Sequence, residues 1–129
     1  MACNLQVING RNTYLSAVLF ADRIFITVSQ FSTFGTLLTG SLTSHPDGED
    51  SITVRTVLGA PADEAEADAV ELIARRVTQS AYKRYRRPLF LGCGLRGCDM
   101  ESARVAVGAV ESLLDKLEAA VVHAATGGT

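Results

Sequence analysis

The sequence predicts an α+β domain: a mostly antiparallel sheet of about six strands, two helices on one of its faces, and dimerisation through the sheet. Two observations carry the class. Five short segments with period-two hydrophobicity, rich in β-branched and aromatic residues, come first in the chain. Two long segments with apolar residues every three or four positions come late, separated by one more apolar run. Strands first and helices last segregate into a sheet with its helices on one side. The 129 residues fit a single domain, residues 1–129, and a chain of this size buries roughly two-thirds of its unfolded surface. With 47% hydrophobic and 20% charged residues it is globular rather than disordered.

Residues 5–8 form a first short strand, and Asn9-Gly10 is a strong turn dipeptide. In residues 13–20, Leu15, Ala17 and Leu19 face one way and Tyr14, Ser16, Val18 and Phe20 the other. Ala21-Asp22 then separates this strand from the next, which suggests an antiparallel hairpin, although no glycine is present to set the turn type. The stretch IFITVSQFSTFGTLL, residues 24–38, reads as strand, bend, strand. Ile24, Ile26, Val28 and Gln30 alternate with Phe25, Thr27, Ser29 and Phe31, and Phe31 and Phe34 flank the bend. The second arm runs over residues 36–43, followed by the polar loop SHPDGED and a strand over residues 52–58.

A helix begins at Asp63, which has capping-box spacing to Glu66. Acids crowd its first turns and bases its last, as the helix dipole favours. Pro88 marks its stop. Residues 89–95 form a further strand, and Asp99 can cap a last helix whose apolar side is Ala103, Val107, Val110, Leu114, Leu117 and Val121. Residues 118–129 are expected to be a frayed end.

Two helices cover one side of such a sheet, so the other side should be polar. It is not: whichever of the Ile24/Ile26/Val28 and Phe25/Phe31 sets points inward, the other leaves apolar groups outside. Each Val, Leu, Ile or Phe kept from burial forgoes roughly 1.5–3 kcal/mol. A contiguous apolar patch marks an interaction site, and the expectation is that this face packs on a second copy or a related subunit.

The chemistry-bearing motifs are weak. GCGLRG, residues 92–97, is a literal G-x-G-x-x-G between a strand and a helix. A dinucleotide site needs another parallel strand after that helix, and here the helix runs almost to the end of the sequence. No cofactor is expected. Cys3, Cys93, Cys98, His45 and His123 match no zinc spacing and no disulfide framework, so no metal is expected either. No Ser, Cys and His arrangement supports a catalytic site. A formal net charge of −2 argues against nucleic-acid binding over the whole surface. No apolar run approaches the 18 or so residues of a membrane span, and MACNLQVING lacks the regions of a secretory leader. A reduced cytoplasmic protein, also compatible with the nucleus, is expected. One basic patch stands out: Arg75, Arg76, Lys83, Arg84, Arg86 and Arg87. It suits an acidic protein partner, or RNA phosphates with Tyr85 stacking, or simply a solvated helix end.

The segment FADRIFITVSQFSTFGTLL, residues 20–38, resembles the β-hairpin and Q-F-x-x-x-G-T-L signature of proteasome assembly chaperone 3. Gln30, Phe31, Gly35, Thr36 and Leu37 carry the likeness, and TVRTVLG, residues 53–59, looks like the next strand of the family and its L-G stop. The resemblance spans roughly residues 5–118. The Lys83–Arg87 run is not supplied by the family pattern, and one departure falls inside the bend, where Thr33 stands in place of a Lys found in a member of the family. If that Lys touches a partner, this chain docks differently. The resemblance implies a non-enzymatic chaperone that pairs through its sheet, as a homodimer or with a chaperone 4-like subunit. Such a dimer holds proteasome α-subunits while the α-ring forms. Gln30, Phe31, Thr33 and Phe34 at the bend, and Arg76, Lys83, Arg84, Arg86 and Arg87 on the basic face, are the candidate partner contacts. The alternative is a small RNA- or ligand-binding α+β module that uses the same basic face.

Overall fold

The computed structural model describes residues 2–8, 11–30, 35–59, 64–95 and 99–127, with side chains to residue 120. The elements are β1 (Ala2–Ile8), β2 (Arg11–Leu19), β3 (Ile24–Ser29), β4 (Thr36–Ser44), β5 (Asp50–Gly59), α1 (Glu64–Tyr85), β6 (Leu89–Gly94) and α2 (Met100–Gly127). The strands make one sheet in the order β1-β2-β3-β6-β4-β5. Every neighbouring pair is antiparallel except β3 with β6. The α+β class and the six-strand count are as the sequence implied.

The path between β3 and β4 is not that of a simple hairpin. The two strands follow each other in sequence, yet β6 lies between them and pairs with both. A parallel β3–β6 pair needs a crossover, and α1 supplies it by returning the chain to the start of β3, where the Ile24 N–H donates to Pro88 O at 2.9 Å. β6 earns the central place by burying Leu89, Leu91 and Cys93 beside Ile24, Ile26 and Val28. Both flanks of the intervening connection hang on β6: Gln30 N–H donates to Gly94 O at 3.2 Å and Gly35 N–H to Cys93 O at 3.1 Å.

Alternation decides which side is covered. Leu15, Ala17, Ile24, Ile26, Val28, Leu38, Leu89 and Leu91 are buried together with Ile73, Val77, Val110, Leu113, Leu114 and Leu117 of the helices. α1 lies over β4, β5 and β6, and α2 over β1 and β2. α1 approaches β4 closely at Gly40, where a Cβ would stand 1.8 Å from Thr78 Oγ1. That hydroxyl is buried with no hydrogen-bond partner among the described residues. Opposite Leu37 and Leu38, β5 carries Leu58 and Thr56, so Val57 is the extra residue of a bulge.

The ends of the helices explain themselves locally. Arg86 follows α1 at φ 55° and donates its N–H to Tyr82 O at 3.1 Å, a left-handed C-terminal cap ahead of Pro88. Asp99 accepts from Ser102 N–H at 2.8 Å, the N-cap expected of it. The expected cap of α1 falls on Asp63, outside the described residues, as does the Asn9-Gly10 turn; Ile8 sits opposite Arg11. The backbone of α2 continues helically to Gly127, where the sequence suggested fraying from residue 118. Ala119 and Ala120, strong helix formers, carry it outward from buried Leu117.

Two outcomes test this packing. Gly40→Ala drives a methyl into Thr78 and is expected to destabilise by about 1–3 kcal/mol; adding Thr78→Ala should recover much of that loss in denaturant unfolding, since the two sites are coupled. The amide of Ser102 holds the Asp99 carboxyl below the ordinary range. Its contribution is therefore complete above about pH 4 and is lost as the pH falls through the lowered folded value. The melting-temperature gap between wild type and Asp99→Ala should be open at pH 6 and close in strong acid.

Candidate docking surface

The uncovered face is built by the residues that alternate with the core. Paired residues on adjacent strands share a face, so the register gives its rows directly. One row is Val18, Phe25, Phe90, Thr39 and Arg55. The next is Cys3, Ser16, Thr27, Gly92, Leu37 and Leu58. Leu5 stands beside Tyr14 beyond them. Leu5 is 65% exposed, Tyr14 47%, Phe20 49% and Leu58 67%. No helix covers these groups, and the question left open by the sequence is answered: Ile24, Ile26 and Val28 point to the helices, Phe25 and Thr27 away.

Two open hollows mark this face. Phe20, Asp22, Arg23, Phe25, Leu37 and Phe90 line one of about 430 Å³. Leu5, Asn12, Tyr14, Ser16, Thr27, Ser29 and Gln30 line another of about 550 Å³. Phe25 and Phe90 stack with centroids 6.4 Å apart, and the Arg23 guanidinium lies 5.1 Å from the Phe90 centroid, a favourable cation–π arrangement. Arg23 is held by two hydrogen bonds to Asp22, at 3.2 and 2.7 Å, and this pairing lowers the Asp22 pKa. The Tyr14 hydroxyl donates to Cys3 Sγ at 3.3 Å, which raises the Tyr14 pKa. Phe20 N–H donates to Arg23 O at 2.8 Å and closes the β2–β3 turn, with no positive φ at Ala21 or Asp22.

Phe31, Thr33 and Phe34 lie outside the described residues. Gln30 works within the protomer: its Nε2 donates to Ile8 O and to Thr13 Oγ1, both at 3.2 Å, and ties the end of β3 to β1 and β2. The basic run splits. Arg75 donates to Glu71 and to Ile52 O. Arg84, partly buried, meets Asp115 and Glu118; burial pulls its pKa down, and the two carboxylates outweigh that and raise it. Arg87 donates to Phe20 O at 3.0 Å. Arg76, Lys83 and Arg84 share the groove between α1 and α2 with Glu111 and Glu118, and Arg86 caps α1. The cations therefore alternate with acids, and the continuous basic strip needed by a phosphate backbone is broken.

Sequence reading named neither Phe25 and Phe90 nor Arg23 and Arg55 as candidate contacts. The signal for Phe25 was present in the alternation of β3. For Phe90 it was missing, because nothing local says that β6 lies against β3. Among the described residues no group of three or more His, Cys, Asp or Glu is placed to hold a metal, and no helix is long and apolar enough to cross a membrane.

A sheet shielded on one side by two helices is also the fold of an assembly chaperone. A chain in the crystal structure of a chaperone complex for yeast 20S proteasome assembly matches with TM-score 0.62 at 13% identity, over 87% of this chain and 95% of that one. The sequence is more specific: the family model of proteasome assembly chaperone 3 matches residues 26–113, and the chain belongs to that family. A search of curated proteins returned no match.

Gln30→Ala leaves the Ile8 carbonyl and the Thr13 hydroxyl without their amide partner. It should lower stability by about 1–2 kcal/mol, measured by denaturant unfolding.

Proposed function

We propose that this chain is a non-catalytic proteasome assembly chaperone. It pairs through its bare sheet face, as a homodimer or with a chaperone 4-like subunit, and the pair holds proteasome α-subunits while the α-ring forms. The single observation that carries the pairing is the uncovered apolar face. Six strands spaced about 4.8 Å apart and about 20 Å long give a face on the order of 600 Å² before side-chain relief is counted. A standard interface buries about 800 Å² per partner, so one opposing sheet fits. Its centre is aromatic, as the energetically dominant part of interfaces usually is.

Family membership supports the proteasome as the destination. Pairing by the bare face leaves the helical side free for α-subunits. Gln30, Phe31, Thr33 and Phe34 at the bend and Arg76, Lys83, Arg84, Arg86 and Arg87 on the helical side are the proposed contacts. Arg84, already shared by two carboxylates, has the least to offer. This role belongs in the cytoplasm or nucleus. The RNA-binding alternative loses support because the basic residues are interleaved with Glu71, Glu111, Asp115 and Glu118.

Phe90→Asp places a charge at the centre of the bare face without touching the helix-side core. The variant should keep a cooperative melt, while wild-type protein recovers proteasome α-subunits and a small partner from lysate and the variant loses the partner. Recovery of neither by wild type would sink the proposal.

A further inference from the structure

The bare face carries one charge that nothing described on this chain neutralises. Arg55 stands on β5 opposite Thr39, in the row that holds Phe25 and Phe90. It is exposed and makes no hydrogen bond or ion pair with any described residue. The other guanidiniums around the sheet are engaged: Arg23 with Asp22 and the Phe90 ring, Arg75 with Glu71 and Ile52 O, Arg87 with Phe20 O.

We infer that Arg55 selects the partner: it favours an opposing apolar sheet that carries a carboxylate facing it, and it opposes pairing with a second copy of this chain. The inference rests on the bare face being the dimer interface. Arg55 lies two strands from Phe90, about 10 Å across the sheet, so a sheet that covers Phe90 and Leu37 reaches it. Desolvating a guanidinium without a counter-ion is strongly unfavourable, and an unmatched charge is an effective way to reject a wrong partner. A second copy has little to offer it. Asp47, Glu49 and Asp50 lie at the β4–β5 turn, at least five residues along the hairpin from Arg55, while the charges that line the aromatic hollow are Asp22 and Arg23, which satisfy each other, and Asp22 also feels Arg87. That cluster is net positive and repels Arg55. The rest of the face, Leu5, Tyr14, Ser16, Thr27, Leu37 and Thr39 among it, is neutral. A non-identical sheet bearing Asp or Glu at the facing position supplies the carboxylate that the two central rows of this face lack.

The test needs only this protein. Self-association of wild type, Arg55→Leu, Arg55→Glu and each variant combined with Phe90→Asp is measured by sedimentation equilibrium, with circular dichroism to confirm folding. Arg55→Leu and Arg55→Glu should each self-associate at least ten-fold more tightly than wild type. The glutamate adds no apolar surface, and its gain should shrink with salt as it pairs with the Arg23 and Arg87 cluster of a second copy. Phe90→Asp should abolish both gains. If Phe90→Asp weakens self-association but the Arg55 variants match or fall below wild type, partner selection by Arg55 is overturned while the bare-face interface stands. If Phe90→Asp changes nothing in any background, the interface itself is misplaced and the inference falls with it.

Discussion

The placement of β6 between β3 and β4 is the constraint on which the rest of the structure depends. β6 pairs in parallel with β3 on one side and antiparallel with β4 on the other, so it joins what would otherwise be two separate meanders, β1-β2-β3 and β4-β5. It brings Phe90 against Phe25 on the bare face and Leu91 against Ile26 on the covered one. It also receives the Gln30 and Gly35 amides on either side of residues 31–34. Without this strand the sheet has no centre and the aromatic stack no second ring.

The helices follow from that centre. A parallel neighbour for β3 obliges the chain to cross over, and α1 is the crossover. α1 settles on β4 because Gly40 presents no side chain where Thr78 descends. α2 then fills the space over β1 and β2, and Arg84 joins the helices through Asp115 and Glu118. Tyr85 adds a hydroxyl donated to Leu114 O at 3.3 Å, and its burial beside Glu118 raises its pKa. Of the charges that looked like a basic patch along the chain, Arg84 is thus a clasp between two helices, while Arg75 and Arg87 donate to Ile52 O and Phe20 O of the sheet side. All this apolar covering lies on one side, so the opposite face keeps its aromatics in water, the arrangement expected of a surface that meets another protein.

How much of this was legible depended on the range of the interaction concerned. The alternation of Ile24, Ile26 and Val28 with Phe25 and Thr27 gave a strand with two unlike faces. Asp99 gave a cap, because its partner, the Ser102 amide, is three residues away. The excess of apolar strand over helix area gave a bare face, since that is a matter of counting. Gln30 was noticed for its place in a family-like motif, but its partners are Ile8 and Thr13, and its holding role was visible only once β1 and β2 were laid beside β3. Arg55 attracted no attention as one arginine within a strand; it matters because the row it joins is otherwise uncharged.

By itself the sequence determined the elements, their order and the existence of a surplus apolar surface, since periodicity, capping and composition act within a few residues or by simple addition. It also carried the family, through residues at the bend and the strand after it. Only the tertiary structure decided which face is covered, which cations are neutralised and which aromatics meet. Those outcomes depend on pairings such as Phe25 with Phe90 and Arg84 with Asp115, in which the chain's path through space sets the distance and sequence separation does not.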